Sequence, residues 1–191
     1  MTSHLVAGRP MPDAIAGHPA LEFCNTMALW DLPTVHEYLT DHEAAVIWAR
    51  EHGIVTGTEA RALRSVSRGR GAATLGQLRR LRGGLYYAAT AGGSLDDVHG
   101  FVARAVARST YRSEADGTRL HVPFCDTVLI DRVALHVHHL LETYGLQSVG
   151  LCASEACGWV FLDPPHRRRW CTMAVCGNRA KAARFRRRTP R

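Results

Sequence analysis

Along the first 110 positions, apolar residues recur at three- and four-residue intervals, the spacing of helices with one buried face. Pro33-Thr34 and Asp41 read as helix starts. Asp41 precedes a run from His42 to His52 in which Ala45, Trp48 and Ala49 share a face before Gly53 stops it. Thr58 reads as the cap of a second helix through Ala62, Leu63 and Val66, after which Gly69, Gly71 and Gly76 interrupt the pattern. Leu75, Leu78, Leu81 and Leu85 resume it, and Ser94 opens a further helix that turns Val98, Phe101, Val102, Ala105 and Val106 inward.

The period then shortens. Residues 111–114 and 119–122 flank Ala115-Asp116-Gly117-Thr118, where the Asp-Gly pair predicts a tight turn between two strands. From Asp126 a long helix follows, its apolar face made by Leu129, Ile130, Val133, Val137, Leu140 and Leu141, ending near Tyr144-Gly145. The pattern predicts a mostly α domain with one β-hairpin over residues 1–147 and a small α+β appendage over 148–191.

Charge separates the same two regions. Residues 1–150 hold 14 Lys and Arg against 15 Asp and Glu, whereas residues 151–191 hold 10 against 2. A net of +8 in so short a segment suits polyanions, nucleic acid before anionic membrane. No run of about 18 apolar residues occurs, and the N-terminus, with Arg9, Pro10 and Pro12, lacks a secretory apolar stretch. The expectation is a soluble cytoplasmic protein without a membrane partner.

Four of the six cysteines fall in the appendage, spaced Cys152, four residues, Cys157, thirteen residues, Cys171, four residues, Cys176. In a reducing compartment two close pairs across a loop favour a metal over disulfides, and zinc over an iron–sulfur cluster or free thiols. Four thiolates fill a tetrahedral zinc and leave no position for water or substrate, so the ion is structural. Zinc also explains how some 40 residues fold, since so short a stretch buries little apolar surface. Trp159, Val160, Phe161, Leu162, Asp163 and Pro164 read as a strand and turn, giving the order knuckle, hairpin, second cysteine pair, helix. Cys24 and Cys125 read as buried thiols acting as small hydrophobes.

Arg167, Arg168 and Arg169 precede Cys171, and Arg179, Lys181, Arg184, Arg186, Arg187 and Arg188 follow Cys176. On a helix beginning near Cys176, a 100° step places Lys181, Arg184 and Arg188 in one sector and Arg179 and Arg186 in another. A merely solvated face usually interleaves acids, and none occurs after Asp163, so phosphate contact is the better reading than solubility or protein contact. Arginine's planar fork suits bidentate phosphate and guanine recognition.

Cys176-Gly177-Asn178-Arg179 is the signature of the CGNR zinc-finger family. Cys157-Gly158-Trp159-Val160-Phe161-Leu162-Asp163, Arg168-Arg169-Trp170-Cys171-Thr172-Met173 and Ala180-Lys181-Ala182 resemble the same finger, over about residues 148–188. Pro164-Pro165-His166 departs from the Ser/Thr-Arg-Asn-like stretch more usual there. Gly17-His18-Pro19-Ala20-Leu21-Glu22-Phe23-Cys24-Asn25-Thr26, with the hairpin and long helix, resembles the ABATE domain that accompanies this finger in stress-induced bacterial transcription regulators. The resemblance implies a helical sensor or scaffold domain joined to a DNA-binding finger.

Glu22, Asn25 and Thr26 could line a small-molecule pocket or cap a helix and satisfy backbone groups, and the second role is favoured. His136, His138 and His139 read as an exposed helix face before a metal site. No Ser/His/Asp set, phosphate loop or carboxylate pair indicates an enzyme. The expected function is a zinc-dependent, DNA-binding regulator with ligands Cys152, Cys157, Cys171 and Cys176. The rivals are an RNA- or ribosome-associated protein, and a small-molecule-binding or enzymatic N-terminal domain with the finger as a protein contact. A homo-oligomer and a small-molecule effector are compatible with a regulator; target sequence and the sense of regulation have no signature.

Overall fold

The computed structural model describes residues 2–30, 32–115 and 117–188, with the side chains at 114, 187 and 188 outside that description. It forms two compact units, one from Met1–Tyr38 with Gln147–Arg191, the other from Leu39–Leu146. The fold is mostly helical with small antiparallel strand pairs, as the periodicity indicates. No described helix is long and apolar enough to cross a membrane.

The first unit opens with strands β1 (Ser3–Val6) and β2 (Arg9–Pro12), a hairpin turning through Ala7 and Gly8, both at positive φ. Helix α1 (Pro19–Cys24) follows, then strands β3 (Met27–Ala28) and β4 (His36–Glu37), paired antiparallel. The helix start expected at Pro33-Thr34 is not formed. Residues 32–34 are bends leading into β4, because the Met27–Glu37 pairing and the bond from Tyr38 N–H to the Thr26 carbonyl (2.9 Å) claim this segment for strand.

In the second unit, helix α2 (His42–Glu51) is capped by Asp41, whose carboxylate accepts the Ala44 N–H at 2.8 Å. Helix α3 (Gly57–Arg64) begins earlier than expected. Thr56 rather than Thr58 is its cap, because Glu59 lies three residues on and returns a bond to the Thr56 N–H (2.8 Å), closing a capping box. Val66 consequently lies beyond the helix. The glycines that break the hydrophobic pattern do not break the chain, since helix α4 runs unbroken through Arg68–Ala91. Gly71 is there for packing, as a β-carbon would come within 3.1 Å of the His42 ring on α2.

Helix α5 (Asp96–Ala107) buries Val98, Phe101 and Ala105, but leaves Val106 exposed, against expectation. Strands β5 (Thr110–Glu114) and β6 (Gly117–His121) form the expected hairpin, with Glu114 opposite Gly117; Asp116 of the turn lies outside the described residues. Helix α6 (Val128–Thr143) packs against α5 and α4, and its Leu129, Val133, Val137 and Leu140 are buried. His136 and His138 are half-buried and His139 is exposed.

Arg132 of α6 clamps this unit. Its guanidinium makes a two-pronged bond to Glu59 (2.7 and 2.9 Å) and also donates to the Ile54 and Val122 carbonyls at 2.9 and 3.1 Å. That guanidinium holds the Glu59 carboxyl down to about 2 from the ordinary 4.5. A depressed carboxyl stabilises the fold above its ordinary range, and the contribution fades as pH falls through 4.5 toward 2. Glu59→Gln keeps the capping box but loses the charge. It is therefore expected to cost on the order of 2 kcal/mol at pH 7 and only about a quarter of that at pH 2.5. Parallel pH profiles of stability for the two proteins, measured by urea unfolding, would contradict the clamp.

Returning to the first unit, a 3-10 turn (Leu146–Ser148) leads to strand β7 (Val149–Leu151), which pairs antiparallel with β8 (Val160–Leu162). This hairpin brackets the first cysteine pair instead of lying between the two pairs. A π-helical turn (Met173–Gly177) then runs into helix α7 (Asn178–Arg188).

Candidate metal centre and basic face

The local geometry of each cysteine follows from the backbone around it. Cys152 directly follows β7, its N–H bonded to the Trp159 carbonyl at 2.9 Å, and Cys157 is followed by Gly158 at φ 73°, a left-handed turn that glycine adopts without strain. Thr172 caps the π-helical turn by accepting the Ala174 N–H (3.3 Å), and the Gly177 N–H reaches back to the Thr172 carbonyl (3.1 Å), which carries Cys176 inward. Asn178 fastens the start of α7 by donating to the Ala174 carbonyl at 3.1 Å. In Cys176-Gly177-Asn178-Arg179, then, the asparagine holds the turn while Arg179 points outward, exposed.

All four sulfurs converge. They lie within 4.8 Å of one another and all four residues are buried. Cys157 Sγ is 3.7 Å from Cys171 Sγ, which is 3.5 Å from Cys176 Sγ. A disulfide requires about 2.05 Å, so none is formed. Tetrahedral zinc with Zn–S bonds of about 2.3 Å has S–S edges of about 3.8 Å, so the donor set fits such an ion. Among the described residues this is the one group of three or more His, Cys, Asp or Glu side chains placed to hold a metal, and the three histidines of α6 are not such a group.

As bare thiols the cluster is electrostatically awkward. S–H donation from Cys157 and then Cys171 pulls the Cys152 thiol far below its usual range. The reciprocal bond to Cys152 pushes Cys157 up to about 12, and bonds to Cys152 and Cys157, with burial, push Cys171 up as well. The Cys152 thiolate forms easily, whereas Cys157 and Cys171 resist ionisation. A divalent cation at the centre reverses that resistance.

The site is built from both ends of the chain. Ala28 and Tyr38 join the cysteines, Trp159 and Phe161 in one buried cluster, with Ile15, Leu29 and Trp170 packed on it. Asn25 reads the edge of β8 like a strand. Its side-chain amide donates to the Val160 carbonyl and accepts the Val160 N–H, both at 2.9 Å. Glu22 accepts N–H groups from Ile15, Ala16 and Gly17 at 2.6 to 3.2 Å, and the Thr26 hydroxyl donates to the Phe23 carbonyl at 2.6 Å. Glu22, Asn25 and Thr26 are thus buried and occupied with backbone. Asn25→Ala would strand both Val160 groups in the core. An expected loss of about 2–4 kcal/mol, read as a lower unfolding midpoint, would accompany it, and an unchanged midpoint would contradict the pairing.

Asp163, absent from the sequence-based site residues, orders the arginine loop. Its buried carboxylate accepts the Arg167 and Arg168 N–H groups at 3.1 and 2.8 Å. The signal was available in its place just ahead of Pro164-Pro165, at a turn whose His166 N–H returns to the Asp163 carbonyl (2.9 Å). The cations divide into two kinds. The Arg168 guanidinium is engaged at home, bonded to the Cys171 carbonyl and lying 4.2 Å over the Phe161 ring. Arg167, Arg179, Lys181, Arg184 and Arg186 are exposed and make no ion pair among the described residues. Arg169 is exposed too, its guanidinium 5.1 Å over the Trp170 ring. The side chains of Arg187 and Arg188 lie outside the described residues.

Comparison with known proteins agrees with this geometry. The CGNR zinc finger model matches residues 149–189, and the ABATE model, described as "Putative stress-induced transcription regulator", matches residues 17–144. No curated protein matches the chain significantly. With a finger match that takes in all four clustered cysteines, and an ABATE match over most of the remainder, the chain belongs to the ABATE family and carries a C-terminal CGNR zinc finger.

Proposed function

We propose that the chain is a DNA-binding transcription regulator in which one zinc ion, held by Cys152, Cys157, Cys171 and Cys176, fixes a basic surface against the phosphate backbone. The observation that carries this reading is the set of exposed, unpaired cations on the two segments that the cysteines tie together. Arg167 lies just before Cys171, and Arg179, Lys181, Arg184 and Arg186 lie just after Cys176. Unpaired charge of one sign on a small ordered unit is an electrostatic footprint for nucleic acid. The metal contributes rigidity, not chemistry, because its four sulfur ligands leave no open position.

Competition binding tests this. Full-length, zinc-loaded protein is expected to hold a mixed-sequence duplex DNA against an equal concentration of structured RNA, and Arg179→Gln combined with Arg186→Gln should weaken the duplex complex by at least tenfold. Preference for the RNA, or no binding to either, would contradict the assignment. Selection of bound genomic fragments would then show whether the contact reads sequence.

A further inference from the structure

Two depressions lie on the basic face and share the wall formed by Arg169 and Trp170. The wider, about 640 Å³, runs past Ile15 and Arg167 to Met173. The narrower, about 230 Å³, is lined by Arg169, Trp170, Gly177, Ala180, Lys181 and Arg184. Three of these six residues are cations. They come from two segments, the loop before Cys171 and helix α7, and Lys181 and Arg184 stand three residues apart on one helix face. The others are one indole and two residues with almost no side chain, so the floor is open. A β-carbon at Gly177 would fall 2.5 Å from Met173 Sδ and 3.3 Å from the Trp170 ring, so a side chain there would press on Met173 and on the shared Trp170 wall.

Three like charges around one cleft repel one another, and among the described residues no carboxylate lines it. Such an arrangement is stable when an anion sits between them, and a cleft of this size admits a single phosphate group. Arg169 is already oriented by stacking on Trp170 at 5.1 Å, which reduces the rotamer freedom lost on binding. We infer that this cleft is a discrete phosphodiester site, in which Arg169, Lys181 and Arg184 together neutralise one backbone phosphate and set the register of the finger on the strand. For the source of the phosphate this rests on the nucleic-acid reading above. Arg167, Arg179 and Arg186 lie outside the cleft and contact phosphates singly.

Sharing has a measurable signature, because the salt slope counts phosphates and not cations. Each neutralised phosphate contributes about 0.9 to the slope of log affinity against log salt for duplex DNA. Removing one cation from the site loosens its single phosphate, and removing a second can lose no further phosphate. Lys181→Gln, Arg184→Gln and the double variant are therefore expected to lower the slope by the same amount, up to about 0.9, while Arg179→Gln with Arg186→Gln lowers it by about 1.8. A second arm uses inorganic phosphate alone on the full-length protein, followed by the indole N–H resonance of Trp170, assigned with Trp170→Phe. Saturable displacement of that resonance is expected, weakened about tenfold in Arg184→Gln, the effect of one charge-assisted hydrogen bond.

Equal, additive slope losses for all four positions would overturn the shared site while leaving DNA binding intact. A non-saturating phosphate response, or one indifferent to Arg184→Gln, would overturn it as well. Should duplex DNA fail to bind while phosphate still saturates the cleft, the site stands and the DNA reading falls. Binding of phosphatidylglycerol vesicles through these three cations, with none to oligonucleotides, would overturn the phosphodiester assignment.

Discussion

Replacing Cys171 with serine is expected to unfold the metal-centred unit. Cys171 is a buried member of the donor set, with the sulfurs of Cys176 and Cys157 at 3.5 and 3.7 Å. A serine hydroxyl is neither ionised nor soft at neutral pH, and a three-sulfur remnant binds zinc far more weakly. Little else takes over. Of the eight buried residues in the cluster around the site, four are the ligands themselves, leaving Ala28, Tyr38, Trp159 and Phe161 as its apolar content. Structural zinc in small fingers contributes an apparent 10–16 kcal/mol, so a lost ligand outweighs any single packing change in this unit. Trypsin is the readout, because the exposed arginines at 167 and 169 lie on the loop that the metal fixes. Cys171→Ser, and the wild type stripped by a chelator, should be cut there orders of magnitude faster than the zinc-loaded protein. Unchanged resistance in both would mean that the fold of this unit does not depend on a metal.

Affinity for duplex DNA is expected to fall about a hundredfold between 50 and 200 mM salt. On the proposed reading, exposed Arg167, Arg179 and Arg186 would each reach one phosphate, and the cleft lined by Arg169, Lys181 and Arg184 would take a fourth. Four phosphates give a slope of about 3.6, and a fourfold change in salt then amounts to about 10² in affinity, before any share from Arg187 and Arg188. Arg168 is left out of the count because its guanidinium is bonded to the Cys171 carbonyl and stacked on Phe161. Arg168→Gln should therefore lower stability while leaving the slope unchanged. Fluorescence anisotropy with a labelled duplex at several salt concentrations measures both. A slope near zero would remove phosphate contact from the account, and a lower slope in Arg168→Gln would show that it too reaches the backbone.

What the sequence made legible was whatever depends on local period or on spacing. The helices at α2, α5 and α6 and the hairpin around Gly117 follow from periodicity and turn chemistry, and the cysteine cluster follows from two four-residue spacings. What stayed hidden depends on contacts far apart in the chain. Nothing local to Pro33-Thr34 says that β3 will claim the following residues as a strand partner. The glycines at 69, 71 and 76 look like breakers until His42 is seen against Gly71. The β1–β2 hairpin has no local sign, because its turn is Ala7-Gly8, without the asparagine or aspartate that marks such turns, and because Pro10 and Pro12 argue against a strand.

The candidate site shows the same division. The four ligands were readable, yet the contribution of residues 15–38 to their surroundings was not, because Asn25 meets Val160 across 135 positions. Arg168 and Arg169 are adjacent and identical residues, but the guanidinium of one is bonded to the Cys171 carbonyl and the other lines the narrower cleft. The Asp163 carboxylate holds the Arg168 N–H, and Arg169 lies over the Trp170 ring, contacts that no local pattern announces.

Native mass spectrometry of the full-length protein, purified without chelator, tests most directly whether the four cysteines hold one ion that organises the basic face. A single zinc per chain is expected, lost in Cys171→Ser and lost with acid or chelator in step with trypsin sensitivity at 167–169. A metal-free mass for protein that is folded, trypsin-resistant and bound to DNA would contradict it.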